Sequence, residues 1–200
     1  MKTRVVADFS GLPIHGFRSA SVTWWGTLAF MLIEATGFAL VIAVYLYLMN
    51  LAAIWPIDAP KPNLLPGTLV TVILLVSAIP NYLTSRWAER EDFRRIRIGM
   101  VLMSVLGTVP LAVRAFEFPA LNVNWDSNAY GSVVWALLGL HTAHLITDLV
   151  DTLVLAALMF TRKGDNVRRF GDVQDNAMYW NFVVVTWLPI YGCIYWIPRL

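Results

Sequence analysis

Charge is what this sequence has least of. Only 14% of its 200 residues are Asp, Glu, Lys or Arg, whereas about a quarter of a typical soluble domain is charged. So little charge cannot clothe a water-facing surface, which excludes a cytosolic enzyme, a nucleic-acid module and a disordered chain. Cysteine is nearly absent as well. The single Cys193 leaves no intramolecular disulfide framework, no paired thiolates for a copper centre and no Cys-x-x-Cys-His haem attachment. A net charge of +2 offers nothing to a polyanion such as nucleic acid. A Gly-rich phosphate loop with its lysine is missing, and so is the period-two alternation of a membrane β-barrel.

What remains is apolar: 58% of the chain, with mean hydropathy +0.62. Nine tryptophans suit rings that collect at membrane interfaces. A spanning helix needs about 20 mostly apolar residues, and five stretches qualify. The expectation is an all-α, polytopic bundle with transmembrane helices at about 22–54, 64–86, 97–118, 128–160 and 177–198. These form one transmembrane domain over 22–200, preceded by a cytoplasmic tail over 1–21. The tail lacks an apolar core of signal-peptide length, so the first span reads as a retained anchor. Breaks fall at the proline-rich Trp55–Pro62, the Asn-rich 122–128 and a polar loop over 161–175. Pro80, Pro110 and Pro189 lie inside spans, where neighbouring helices can satisfy the freed carbonyls and kinks are expected.

Lys and Arg set the orientation. Twelve of them lie in the tail (Lys2, Arg4, Arg18), the second loop (Arg86, Arg90, Arg94, Arg95, Arg97) and the fourth (Arg162, Lys163, Arg168, Arg169). Only Lys61, Arg114 and Arg199 fall elsewhere. The N-terminus is therefore expected inside and the C-terminus outside. The mixed-sign run 86–95 would attract anionic headgroups at about 1 kcal/mol per arginine, partly offset by its acids; a docking contact for a partner subunit is the other reading.

Charges within a span are functional candidates by default. Glu34 stands alone in the first span, with Arg18 and Asp58 its nearest charged neighbours. It reads either as a proton-handling or subunit-contacting carboxylate, or as a neutral acid bonded to another helix. His141, His144, Asp148 and Asp151, at offsets of 0, 3, 7 and 10, share a narrow helical stripe. An interhelical hydrogen-bond ladder is favoured over a metal site there. Alternatively, the aspartates could orient the imidazoles. Arg114 and Glu117, spaced i, i+3 at a helix end, read as structural capping. The remaining histidine, His15, lies outside the spans, so no second helix offers an imidazole for bis-histidine haem ligation. The residues thus offer no catalytic centre, no metal set and no site for a bound cofactor.

An ordered set of motifs resembles the cytochrome c oxidase subunit III family. Trp25-Gly26 followed by apolar residues to Glu34 is similar to that family's glutamate-bearing helix. Glu117-Phe118 matches its Glu-Tyr/Phe, and Gly139-Leu140-His141-Thr142-Ala143-His144 keeps both histidines of Gly-x-His-Gly-x-His. The aromatics of Tyr179-Trp180-Asn181-Phe182-Val183-Val184-Val185-Thr186-Trp187 match Tyr-Trp-His-Phe-x-Asp-x-x-Trp. Asn181, Val184 and Thr142 depart from the family's His, Asp and Gly, while Asp148 and Asp151 are additional acids. The divergence suggests a polar network partly moved to the fourth helix.

The resemblance implies a five-helix form of a subunit that binds no metal itself. It would pack beside haem-copper oxidase subunits I and II, which carry haem and copper. It implies roles in structural integrity, proton uptake and aerobic electron transport, contact with membrane lipids including bound phospholipid, and a bacterial inner-membrane location. Glu34, Glu117, His141 and His144 are the family-matched polar positions. An accessory subunit of a nitric oxide reductase, or a small transporter using Glu34 and the His/Asp stripe, are the alternative readings.

Overall fold

A computed structural model describes residues 22–161 and 167–200. The expected tail over 1–21, with Lys2, Arg4, His15 and Arg18, lies outside the described residues, as do Arg162, Lys163 and the side chain of Arg168. Among the described residues, five helices are long and apolar enough to cross a membrane: α1 (Val22–Leu51), α2 (Leu64–Glu89), α3 (Phe93–Glu117), α4 (Ala129–Met159) and α5 (Val167–Tyr191). Among the described residues there are no strands. The chain is a multi-pass, all-α membrane protein.

Three helix starts have a local cause. Asn63 caps α2 by accepting from Leu65 N–H, Asp92 caps α3 by accepting from Arg95 N–H, and Asn128 caps α4 by accepting from Gly131 N–H at 2.7 Å. The second loop is therefore a tight turn, with Glu91 at φ 55 between two helices. Pro80, Pro110 and Pro189 all sit within continuous helix. Past Pro189, α5 widens into a π-helical turn at Gly192–Trp196 and ends in a 3-10 turn at Ile197–Arg199.

One boundary differs substantially from expectation. The fifth helix begins at Val167 rather than near 177, so most of the expected polar loop is helical. The first turns of α5 are amphipathic. Phe170 and Val173 bury against Ala88, Ile96, Met100 and Met159, while Arg169 and Asp172 form an i, i+3 pair at 2.9 Å. Charge on one face conceals such a segment from a search for uncharged runs.

Helices α2, α3, α4 and α5 form a closed ring of neighbours, and α1 lies outside it against α4 and α5. α1 consequently buries only Phe38 and Tyr45. The end of the bundle bearing the Pro-rich loop is tied by polar contacts. Tyr45 OH donates to Cys193 O at 2.5 Å, Trp55 Nε1 donates to Tyr45 OH at 2.9 Å, and Arg199 donates to Pro62 O at 2.5 Å and to Tyr195 O. At the other end, Arg97 donates to Met159 O at 2.7 Å and stacks on Phe93 and Phe160.

Glycine is required at Gly67, where a Cβ would overlap the Tyr195 ring. That ring must approach α2 this closely for its hydroxyl to reach Glu117. Gly67→Ala is expected to displace Tyr195 and cost about 1–3 kcal/mol, read as earlier thermal loss of the subunit's native spectrum. An unchanged midpoint would mean that Tyr195 yields freely.

Candidate functional site

Two polar clusters occupy the bundle. The first is fully internal. Arg114 on α3 is 1% exposed and donates to Glu117 Oε2 at 2.6 Å; Glu117 is 0% exposed. Tyr195 OH donates to Glu117 Oε1 at 2.6 Å. Arg114 also contacts His141 Nδ1 at 2.8 Å, while His141 Nε2 lies 3.1 Å from Val183 O. A guanidinium only donates and a carbonyl only accepts. His141 is therefore fixed as the neutral tautomer with hydrogen on Nε2. The guanidinium stacks over Trp187 at 4.3 Å, and Trp187 donates to Thr71, which donates to Gly67 O, each at 2.7 Å.

Arg114 and Glu117 thus pair as their spacing predicts, but not as a cap at a helix surface. The last turn of α3 faces inward, under α4 and the end of α5. In apolar surroundings a charge is costly unless it is paired and hydrogen-bonded. Here the pair, the tyrosine and the imidazole bond one another, with Arg114 Nε left without a partner.

The second cluster joins three helices near the bundle's edge. Glu34 on α1 and His144 on α4 meet at 2.7 Å, each 11% exposed at the side chain. Tyr179 on α5 donates to both carboxyl oxygens, at 2.9 and 3.1 Å. His144 Nδ1 lies 2.6 Å from Leu140 O. That carbonyl can only accept, so Nδ1 carries hydrogen, and the 2.7 Å contact to Glu34 requires one more. One proton therefore lies between carboxyl and imidazole, with either a neutral acid beside a neutral ring or a carboxylate beside an imidazolium. Phe38 packs on His144 with ring centroids 4.8 Å apart.

The stripe on α4 does not act as one ladder. His141 faces α3 and α5, while His144 faces α1. Asp148 and Asp151 lie further along, beside α1 and α5. A stripe ten residues long runs about 15 Å along a helix, far enough to pass successive neighbours. Nor do the aspartates orient the imidazoles, since both ring nitrogens of each histidine are engaged elsewhere. Asp151 accepts from Asn176 at 2.9 Å, and Asn176 also bonds Thr152. Among the described residues, no three His, Cys, Asp or Glu converge as a metal set.

Arg114, Tyr179 and Tyr195 complete these clusters and Asn176 joins Asp151; none is a candidate site residue by sequence. A tyrosine in an apolar span resembles any interfacial aromatic. Its partner is 145 positions away for Tyr179 and 78 for Tyr195, so no local spacing reports it. At the divergent positions, Asn181 accepts from Asn81 at 3.0 Å, Thr142 donates to its own helix at Leu138 O, and Val184 is buried in the core.

A bundle of membrane-spanning helices with buried polar groups bonded across them defines a polytopic membrane protein. The sequence profile described as "Cytochrome c oxidase subunit III" matches residues 8–198. The chain belongs to that family. It is similar to "Cytochrome c oxidase subunit 3" of Thermostichus vulcanus, 24% identical over 176 residues and covering 87% of each chain. It is also similar to "Probable cytochrome c oxidase subunit 3" of Mycobacterium tuberculosis (strain ATCC 25618 / H37Rv), 26% identical with 92% of each chain covered. The protein of Heterololigo bleekeri is 30% identical, over 74% of this chain and 57% of its own length.

Proposed function

We propose that this chain is a non-catalytic subunit III of a haem-copper terminal oxidase, stabilising the catalytic subunit and supporting proton uptake. Subunits I and II are its partners and carry the haem and copper. The membrane is a bacterial inner membrane, with the N-terminus inside and the C-terminus outside, as the arginine-rich loops favour. Residues 22–200 act as a single transmembrane domain in contact with lipid, including bound phospholipid.

One observation carries this reading: an intramembrane carboxylate, Glu34, shares a proton with His144 at the edge of the bundle under a tyrosine hydroxyl. Such a group can take and return a proton without disturbing buried charge, which suits a supply role. Glu117, His141 and Arg114 have a different task. Their inward, mutual contacts hold α3, α4 and α5 in the register that presents α1. Asp148 and Asp151 are further polar candidates on α4.

The structural half of the proposal is tested at His141. His141→Leu leaves a buried Arg114 donor without its partner, at about 1–3 kcal/mol, while the Val183 carbonyl keeps the Thr186 hydroxyl. The expected result is reduced retention of this subunit during purification, with haem and copper per catalytic subunit unchanged. Stoichiometric loss of a metal would contradict the assignment of all cofactors to the partners.

A further inference from the structure

Asp148 is the group that neither cluster uses. It is 1% exposed, and neither of its carboxyl oxygens has a hydrogen-bond partner. Nearby donors are already engaged. Thr147 donates to His144 O, Thr152 and Asn176 bond each other, Asn176 donates to Asp151, and Tyr179 donates to Glu34. Arg169, the cation on the same wall, is paired with Asp172. A buried carboxyl with its acceptor positions empty is costly and calls for an explanation.

That carboxyl lines a cavity of about 390 Å³ between α1, α4 and α5. The volume corresponds to roughly a dozen water molecules at about 30 Å³ each. Asp151, one turn further along α4, lines the same cavity and is exposed at its rim. Thr27 adds a hydroxyl from α1. The wall therefore offers hard oxygen atoms, with the carboxylates of Asp148 and Asp151 on adjacent turns of α4 and those of Asp172 and Asp175 on α5.

We propose that this cavity binds one hydrated divalent cation of the magnesium or calcium class, held from within by Asp148 and at the rim by Asp151. Hard cations take oxygen ligands, and magnesium in particular keeps several waters while binding through one or two carboxylates. Two acids therefore suffice where a dehydrated transition-metal site would need a converging set, which the described residues do not form. The ion fills the empty acceptor positions of Asp148 and joins α4 to the neighbouring helices through its water shell. The site is independent of the Glu34–His144 pair and of the oxidase reading.

The test uses the full chain in mild detergent, stripped with a chelator and titrated with Mn²⁺ as a paramagnetic probe of hard-cation sites. Electron paramagnetic resonance measures free Mn²⁺, and Mg²⁺ and Ca²⁺ serve as competitors. One Mn²⁺ per chain is expected, displaced by either competitor. Asp148→Asn and the rim variant Asp151→Asn should each weaken it by about tenfold or more, a change of about 1.4 kcal/mol per decade. Asp58→Asn, in an exposed loop, should leave it unchanged. Asp151→Asn keeps the test decisive if Asp148→Asn does not fold. Absence of saturable binding by the wild type, or undiminished binding by Asp151→Asn, overturns the proposal.

Discussion

Arg114→Leu is expected to cost the bundle about 3–5 kcal/mol, because removing one partner of a buried ion pair strands the other. Glu117 would remain fully buried with only the Tyr195 hydroxyl against it, and His141 Nδ1 would lose its donor. In practice the subunit should fail to remain in the purified complex, or melt far earlier within it. Replacing both partners, Arg114→Leu with Glu117→Leu, should recover much of the loss, since an apolar pair removes the stranded charge. Recovery should be incomplete, because Tyr195 and His141 each lose a bond worth about 1 kcal/mol. Arg114→Lys should also fall short of the wild type. An ammonium cannot reach Glu117 and His141 through one planar fork while stacking on Trp187. Thermal denaturation of the three variants, side by side, checks the order. A loss below about 1 kcal/mol for Arg114→Leu would be the value of an exposed pair and would contradict the burial described.

Glu34→Gln is expected to separate proton handling from packing. The glutamine amide is nearly isosteric. Its oxygen can accept from Tyr179, and its NH₂ can donate to His144 Nε2, so the three-helix contact survives. Assembly and thermal midpoint should change little. What is lost is the carboxyl group that shares the proton with His144. If the pair supplies protons, turnover of the intact complex should fall about three- to tenfold, or inactivation during turnover should hasten. That is smaller than the roughly hundredfold or greater effect of a general acid or base at reacting atoms, because this pair acts by supply. If the pair only holds helices together, the surviving amide contacts should leave both the midpoint and the turnover per haem near the wild type. The comparison of turnover with the haem-to-subunit ratio decides between the two.

Much of this arrangement was legible from residues alone, for identifiable reasons. The five spans follow from uncharged runs, and Glu34 is conspicuous because it is the one charge in a 30-residue apolar helix. Arg114 and Glu117 were legible as a pair but not as a buried one. A span that ends in two charges looks as though it has reached the surface, and nothing local reveals that the end of α5 covers it. The start of α5 was hidden because Arg169 and Asp172 sit on one face, while Phe170 and Val173 bury on the other. The α4 stripe was legible as polar and inward. Its division among neighbours depends on where α1, α3 and α5 pass, which spacing along one helix does not encode. The tyrosines were the least visible, since each reaches its carboxylate from a distant part of the chain.

This family member is proposed to work as a cofactor-free partner of a haem-bearing subunit. Affinity purification of the tagged chain in mild detergent, with optical spectra and partner masses recorded on the same sample, tests it most directly. Recovery with oxidase subunits I and II is expected, with a haem spectrum that stays with them when this chain is separated. A lone chain carrying its own haem or a tightly bound transition metal would contradict it.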